Sequence, residues 1–328
     1  MAERWSPDHL RLHQLLLRQP ELLPRGSTLL LAVSGGQDSM ALVGLLRDLQ
    51  RLHHWSLQLW HGDHRWRADS DRQASELAAW ARSEGLALQI ERWETPQSSE
   101  AAARAWRYQG LTRCAERLAA RHVLTGHTAS DRAETLLLHL ARGSHRRGLA
   151  SLRLQRPLTD QIELVRPLLL FDRNDTARIR QQLALPLWLD PSNDDRRFSR
   201  NRIRAEVLPV LEALHPGAGR RISQLSQRLA EEQSSQDELL TLVLQSLSRS
   251  DPAEAQQRLD RDGLMALQPA NRRLLLHTWL KQQGCSGLQA EVLEGLQRRL
   301  QPLRGNGCHP LSGGQRLCWD RRHLWLEA

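Results

Sequence analysis

Short apolar runs alternate, over roughly the first 150 residues, with longer stretches in which leucine and alanine recur every three or four positions. The runs at 28–33, 55–61, 86–91 and 122–126 predict strands; the stretches at 38–51, 69–84, 99–120 and 130–142 predict helices. Ser6, Pro7 and Asp8 open a further helix ahead of them, with proline at the first helical position. Strand then helix, repeated, predicts an α/β fold built on a doubly wound parallel sheet. Each helix must carry the chain back before the next strand can pair in the same direction. Ligands of such sheets sit at the carboxyl ends of strands, where the turns at Ser34 and His127 fall.

Past residue 150 the rhythm breaks. A short apolar stretch at 162–165 precedes a predicted helix at 172–184, a polar loop at 190–195 and a helix at 200–213. His215, Pro216 and Gly217 end that segment, so the expected division is a catalytic domain over 1–215 and a smaller one over 216–328. The second is expected to be mainly helical. A long amphipathic helix runs over 218–248 with Ile222, Leu225 and Leu229 in its stripe, and two more helices lie within 264–300. The tail at 302–328 predicts a terminal β-hairpin, with Ser312, Gly313 and Gly314 in its turn.

Composition narrows the class. The 328 residues are 40% hydrophobic and 25% charged, as in soluble globular proteins. No apolar run approaches the ~20 residues that span a bilayer, and the first residues have no signal-peptide core. A cytoplasmic protein without a membrane partner is expected. Cys114, Cys285, Cys308 and Cys318 form no CxxC pair, which suits reduced thiols and argues against a zinc or iron–sulfur site. Net charge is +9 and Lys281 is the sole lysine, so the surplus is arginine. Guanidinium pairs bidentately with phosphate and stacks on bases, which favours a nucleic-acid partner.

The chemistry concentrates at SGGQDS, residues 34–39, which follows the first strand and opens a helix. Glycine permits close backbone approach, and the unpaired N–H groups of a helix N-terminus cradle phosphate. Asp38 beside that cradle suits a divalent cation arriving with the phosphate. A plain strand-to-helix turn capped by Ser34 or Asp38 is the alternative. A Gly-Lys-Ser/Thr P-loop is excluded for want of the lysine. A second block holds His127, Asp131 and Glu134, the two acids three apart on one helical face. It suits metal binding, acid–base work or capture of an ammonium; acids that merely balance the helix dipole are the alternative. Arg104 and Arg107, also three apart beside Tyr108, suit phosphate clamping and base stacking, or a solvated face paired with Glu100. His61, Asp63, His64 and Arg67 end the second strand, where they can meet a nucleotide; a satisfied surface histidine is the alternative. Arg200, Arg202 and Arg204 make a candidate RNA or triphosphate contact, or a solvated basic face.

In this order the motifs resemble the tRNA(Ile)-lysidine synthase family of the PP-loop ATP pyrophosphatase superfamily. That family carries SGGxDS; a DHGxR-type motif, matched by Asp63, His64 and Arg67; and an EAxAR..RY helix, matched by Glu100, Arg104, Arg107 and Tyr108. It continues with HxxxDxxET, matched by His127, Asp131, Glu134 and Thr135, then RG and GL, matched by Arg142-Gly143 and Gly148-Leu149. RPLL follows at Arg166 to Leu169, DPSN at Asp190 to Asn193 and RNRIR at Arg200 to Arg204. The likeness spans roughly 28–210. Arg65 stands where the family usually has glycine, Thr128 and Ser130 replace commoner His and Asp, and His145 replaces a glycine.

The resemblance implies a Rossmann-like PP-loop fold and an ATP- and magnesium-dependent ligase. ATP would adenylate C2 of the wobble cytidine in tRNA(Ile) with a CAU anticodon. Free lysine would then displace AMP, giving lysidine and changing codon reading from AUG to AUA. It implies catalytic roles for Asp38, Asp131, Glu134 and Arg104, with magnesium on Asp38. Nucleotide contacts would come from Ser34, Gly35, Gly36, Gln37, Asp38, Ser39, His64 and His127, and tRNA contacts from Arg107, Tyr108, Arg200, Arg202 and Arg204. Asp131 and Glu134 would hold the lysine ammonium, whose ordinary pKa of ~10.4 requires a proton acceptor when the amine attacks. The assembly state stays open, a homodimer included. Another PP-loop adenylating enzyme (a tRNA thiolase or an amide synthetase) and a non-catalytic RNA-binding adaptor are the competing readings. Thiolases of the superfamily generally use paired cysteines, and the adaptor would not need Asp38, Asp131 and Glu134 intact.

Overall fold

The computed structural model describes residues 5–66, 69–95, 99–188, 195–250, 257–301 and 305–327. Arg67, the motif at 190–193 and the side chain of Glu100 lie outside the described residues. The chain divides into two compact units, 1–230 and 231–328. The division falls inside a helix, beyond the break at His215–Gly217 that the sequence marks.

The first unit runs α1 (Pro7–Arg18), β1 (Thr28–Ala32), α2 (Gln37–His53), β2 (Ser56–Asp63), α3 (Ser70–Ser83), β3 (Ala87–Arg92), α4 (Glu100–Arg117) and β4 (His122–Thr125). It continues with α5 (Ala129–Ala141), α6 (Arg146–Leu149), β5 (Gln155–Pro157), β6 (Glu163–Val165), α7 (Arg173–Gln182), α8 (Ser199–Arg202) and α9 (Leu208–Leu214). Six strands form one sheet in the order β3-β2-β1-β4-β6-β5. All neighbours pair parallel except β5, which turns back antiparallel on β6 at the edge. The parallel expectation therefore holds for five strands, and the short β5 adds an antiparallel sixth.

That order places the site. From β1 the chain works outward through β2 to β3, then returns to lay β4 on the other side of β1. The reversal opens a crevice at the carboxyl ends of β1 and β4, the place where open α/β sheets bind ligands. Both faces of β1 are buried, with Leu29 and Leu31 packed towards α2 and Leu30 in a separate cluster with Leu111 and Cys114 of α4. A strand covered on both sides reads as a continuous apolar run, as 28–33 does.

The helix expected over 200–213 is interrupted. Residues Ile203–Val207 form a π-helical turn between α8 and α9. Pro209, at the start of α9, lacks the N–H that would continue the α-helical ladder.

Helix α10 (Ala218–Leu247) leads into the second unit. There β7 (Ser248–Ser250), β8 (Gln257–Asp260), α11 (Arg261–Met265), α12 (Pro269–Gln282), α13 (Ala290–Arg299), β9 (Gly307–Pro310), β10 (Arg316–Trp319) and β11 (His323–Glu327) follow. The tail is more than a hairpin: β9, β10 and β11 join β8 and β7 in a five-stranded antiparallel sheet, ordered β7-β8-β11-β10-β9. Gly313 and Gly314 take left-handed φ values of 84° and 82° between β9 and β10, as the turn requires. Cys308 and Cys318 face each other in the β9–β10 register and are joined as a disulfide, which corrects the expectation of four reduced thiols. Strand pairing, which no CxxC spacing announces, brings their Cα atoms to 4.1 Å. Cys114 and Cys285 are free and buried.

One residue pins this unit. Arg261 is 1% exposed, and its guanidinium donates to the carbonyls of Leu300, Gln301, Gly305 and Asp320. Arg261→Met is expected to cost about 3 kcal/mol, since the buried Leu300 carbonyl and three part-buried ones lose their donor at once. Limited proteolysis would show this as cleavage confined to the second unit; unchanged resistance there would refute it.

Candidate active site

The turn after β1 leaves α2 without a side-chain cap. Gly36 is the cap residue and no side chain accepts from the first turn. The first-turn N–H groups thus keep donors for an anion at the positive end of a long helix. Side chains brace the turn from within: Ser39 Oγ donates to the Gly36 carbonyl at 2.9 Å, and the Gly36 N–H donates to Ser34 Oγ at 3.3 Å. Gly35 has φ 81°, and Trp188 lies over it, its own N–H donating to the Gly35 carbonyl at 3.0 Å. Gly126, after β4, is required by close approach. A Cβ there would stand 3.0 Å from the backbone carbon of Asp38 and the nitrogen of Ser39. The two turns at the crevice therefore lie backbone against backbone.

Gln37 and Asp38 are gripped from α7. Gln37 donates to the Arg173 carbonyl at 2.7 Å and to Thr176 Oγ1 at 2.9 Å. Thr176 Oγ1 donates to Asp38 Oδ1 at 2.5 Å, and the Arg173 guanidinium lies 3.5 Å from Oδ2. Burial pushes the Asp38 carboxyl above its ordinary pKa; Arg173 opposes this and the charge of Asp131 adds to it. An acid crowded by burial and by a second acid is a site that a cation relieves, so the donor set at Asp38 fits magnesium.

Helix α5 begins with a capping box. The Thr128 N–H and hydroxyl donate to Asp131 Oδ2 at 2.7 and 2.9 Å. Asp131 Oδ1 accepts from Arg200 at 2.7 Å. Glu134, fully buried, accepts from Arg200 Nε at 2.7 Å and from Arg204 at 2.7 and 2.9 Å. Burial alone would raise the pKa of Asp131, but Arg200, with Arg173 and the Thr128 N–H adding to it, outweighs burial and holds the acid ionised. His127 is half-buried. Burial drives its pKa down to about 3, against Asp131 and with Arg166, Arg200 and Arg104, so the imidazole is neutral at physiological pH. Its Nδ1 lies 2.9 Å from Thr125 Oγ1.

The arginine motif thus splits. Arg200 and Arg204 turn inward to the two acids, while Arg202 is exposed and pairs with Glu206 at 3.1 Å. Arg104 and Arg107 also part company. Arg104 lies 5.1 Å from the centre of the Tyr108 ring, and Arg107 reaches His64 at 3.1 Å. Arg156 approaches Tyr108 at 5.2 Å, so two guanidiniums lie against the ring that sequence reasoning assigned to a base. His64 sits instead in a tryptophan cluster, with Trp106 at 4.9 Å, Trp66 at 5.5 Å and Trp93 at 6.0 Å. Arg65, where the resembled family has glycine, has the left-handed φ of 54° that glycine takes most easily. Thr176, Arg173, Arg156 and Trp188 were missed by sequence reasoning. No local spacing connects them to the crevice, and only Arg166, in the RPLL motif, was signalled.

Comparison with known proteins supplies the remaining observation. A PP-loop domain matches residues 9–211, and a TilS substrate binding domain matches 259–325. A tRNA(Ile)-lysidine synthase of Parasynechococcus marenigrum (strain WH8102) is 51% identical over all of this chain and 96% of its own length. The chain belongs to the tRNA(Ile)-lysidine synthase family. A family member from a strain of Prochlorococcus marinus is 41% identical over 98% of this chain and 96% of its own. In fold, the family member described here is similar to the U34-tRNA thiolase NcsA from Methanococcus maripaludis, with a TM-score of 0.58. The alignment covers 68% of this chain and 78% of that one at 16% identity. At that identity the likeness concerns the fold alone.

Proposed function

We propose that this chain joins free lysine to C2 of the wobble cytidine of tRNA(Ile) with a CAU anticodon, through an adenylated cytidine. Family membership makes it an ATP-using ligase that forms lysidine at the tRNA wobble position. The observation that carries the finer reading is the meeting of two turns at one crevice. An uncapped helix N-terminus suited to phosphate packs against Gly126, which stands just ahead of the helix that carries a pair of buried acids suited to an amine.

In the first step the C2 oxygen bonds to the α-phosphorus of ATP and pyrophosphate leaves, held by the backbone of 34–39. Magnesium, when bound, neutralises phosphate charge there, and Asp38 is the residue that would hold it. In the second step the lysine amine bonds to C2, AMP leaves, and an acid at Asp131 or Glu134 takes the amine proton. The charge balance at those acids adds a condition. Two carboxylates are matched by Arg200 and Arg204, so a lysine ammonium gains a full counter-charge only as Arg200 yields. No described helix is long and apolar enough to cross a membrane.

Transfer of labelled lysine to transcribed tRNA(Ile) with a CAU anticodon tests the reading directly. Incorporation that needs ATP and stops when the wobble C is changed is expected; AMP release without incorporation would move the search to another nucleophile. Asp131→Asn keeps the shape of the cap but removes the charge. It is expected to raise the KM for lysine at least about tenfold while leaving ATP binding intact, and unchanged lysine dependence would refute the role.

A further inference from the structure

We infer that Arg104, Arg156 and Arg166, gathered around Tyr108 beside His127, form a binding site for a phosphate group. The inference rests on the lysidine reading only for where that phosphate comes from. Arg166 follows β6 directly and is 1% exposed, yet no carboxylate meets it among the described residues. One of its nitrogens donates to the Arg153 carbonyl at 2.7 Å, and its Nε has no acceptor. The groups that act on its charge are the Tyr108 hydroxyl and two further guanidiniums, Arg156 and Arg104.

Other arginines of this chain are settled differently. Arg178 meets Asp8, Arg200 and Arg204 meet Glu134, and Arg261 is saturated by four carbonyls. Around Tyr108, three cations converge on a phenol. Asp131, the acid whose charge acts on His127, is already engaged by Arg200. Arg104 is exposed and Arg156 half-buried, so the cost of gathering like charges falls on the buried Arg166, which an anion reaching it from the solvent side would relieve. A phosphate suits the place: its several oxygens accept from more than one guanidinium, and its charge offsets more than one cation. Arg166 follows β6 at the carboxyl end of the sheet, the edge that carries the turn at 34–39. Tyr108 then acts as a hydroxyl partner to the anion and its arginines rather than as a surface for a base.

Tyr108 is also the chain's single tyrosine, which makes it a reporter. Burial alone would raise its pKa, but Arg104, Arg166 and Arg156 outweigh burial and hold the phenol below its ordinary value. An anion among those arginines must reverse the effect. With ring-labelled tyrosine, NMR gives one side-chain signal whose pH midpoint can be followed. Phosphate binding is expected to raise that midpoint by about one pH unit. Arg166→Gln and Arg156→Gln should each raise it without ligand and blunt the response to phosphate. Arg156 is only half-buried, so its variant keeps the test open if Arg166→Gln fails to fold.

Inorganic phosphate, ATP and a seven-nucleotide single-stranded RNA are added in turn. A response to ATP assigns the site to the nucleotide, and a response to RNA assigns it to the RNA backbone. A midpoint that none of the three moves overturns the site. Lysine transfer measured on the same preparation separates the two claims. An active ligase with an unresponsive tyrosine overturns the site alone; a responsive tyrosine without lysine transfer overturns the lysidine reading alone.

Discussion

Glu134→Gln is expected to cost about 3 kcal/mol of stability and to abolish lysine transfer. Both oxygens of the fully buried Glu134 accept from guanidiniums, at 2.7 Å from Arg200 and at 2.7 and 2.9 Å from Arg204. Glutamine keeps the volume but replaces one acceptor with an amide N–H₂ that points donors at donors. Two cations then lose their shared counter-charge in the interior. Removing one partner of such a pair strands the other, which is why the loss exceeds the net worth of the intact pair. Arg200 and Arg204 are partly exposed, so water softens the effect, and the lower end of the usual range applies. Arg202→Gln is the control. It breaks only an exposed pair with Glu206 and should change stability by less than about 1 kcal/mol. Urea unfolding of the two variants side by side decides the matter, and equal midpoints would refute the account of Glu134.

Gly126→Ala should lower ATP use about a hundredfold, because a displacement of reacting groups by even ~1 Å costs that much. The added methyl would stand 3.0 Å from the Asp38 carbon and the Ser39 nitrogen and 3.1 Å from the Asp38 oxygen. These are backbone atoms of the first turn of α2, so no side chain can swing aside to make room. The turn itself must move, and with it the N–H groups aimed at the phosphates and the carboxylate gripped by Thr176. Gly295→Ala in α13 meets nothing within 4 Å and should leave ATP use unchanged while mildly favouring its helix. ATP–pyrophosphate exchange, measured with each variant, reads the difference. Normal exchange by Gly126→Ala would show that the two turns are not tightly packed.

The order of elements and the identity of the phosphate turn were legible in the sequence because they rest on short-range rules. An unbroken apolar run marks a strand buried on both faces, glycine marks a turn, and recurrence every three or four residues marks a helix. Those rules weakened for β5, β7 and β8, each too short to carry a period, and at the π-turn of Ile203–Val207. They also could not show that Cys308 and Cys318 would meet, since that depends on strand register. Spacing places Arg200 and Arg204 on one helical face but does not say what the face meets. Only the fold turned it towards Asp131 and Glu134, more than sixty residues away in the chain. Likewise the grip of Thr176 on Asp38 spans a separation of 138 residues, and the arginines around Tyr108 come from α4, β5 and the end of β6. The sequence by itself determined which residue types could bind phosphate and amine. The tertiary structure alone decided which charges neutralise one another and which are left to meet a ligand, because burial and ion pairing are set between residues distant in the chain.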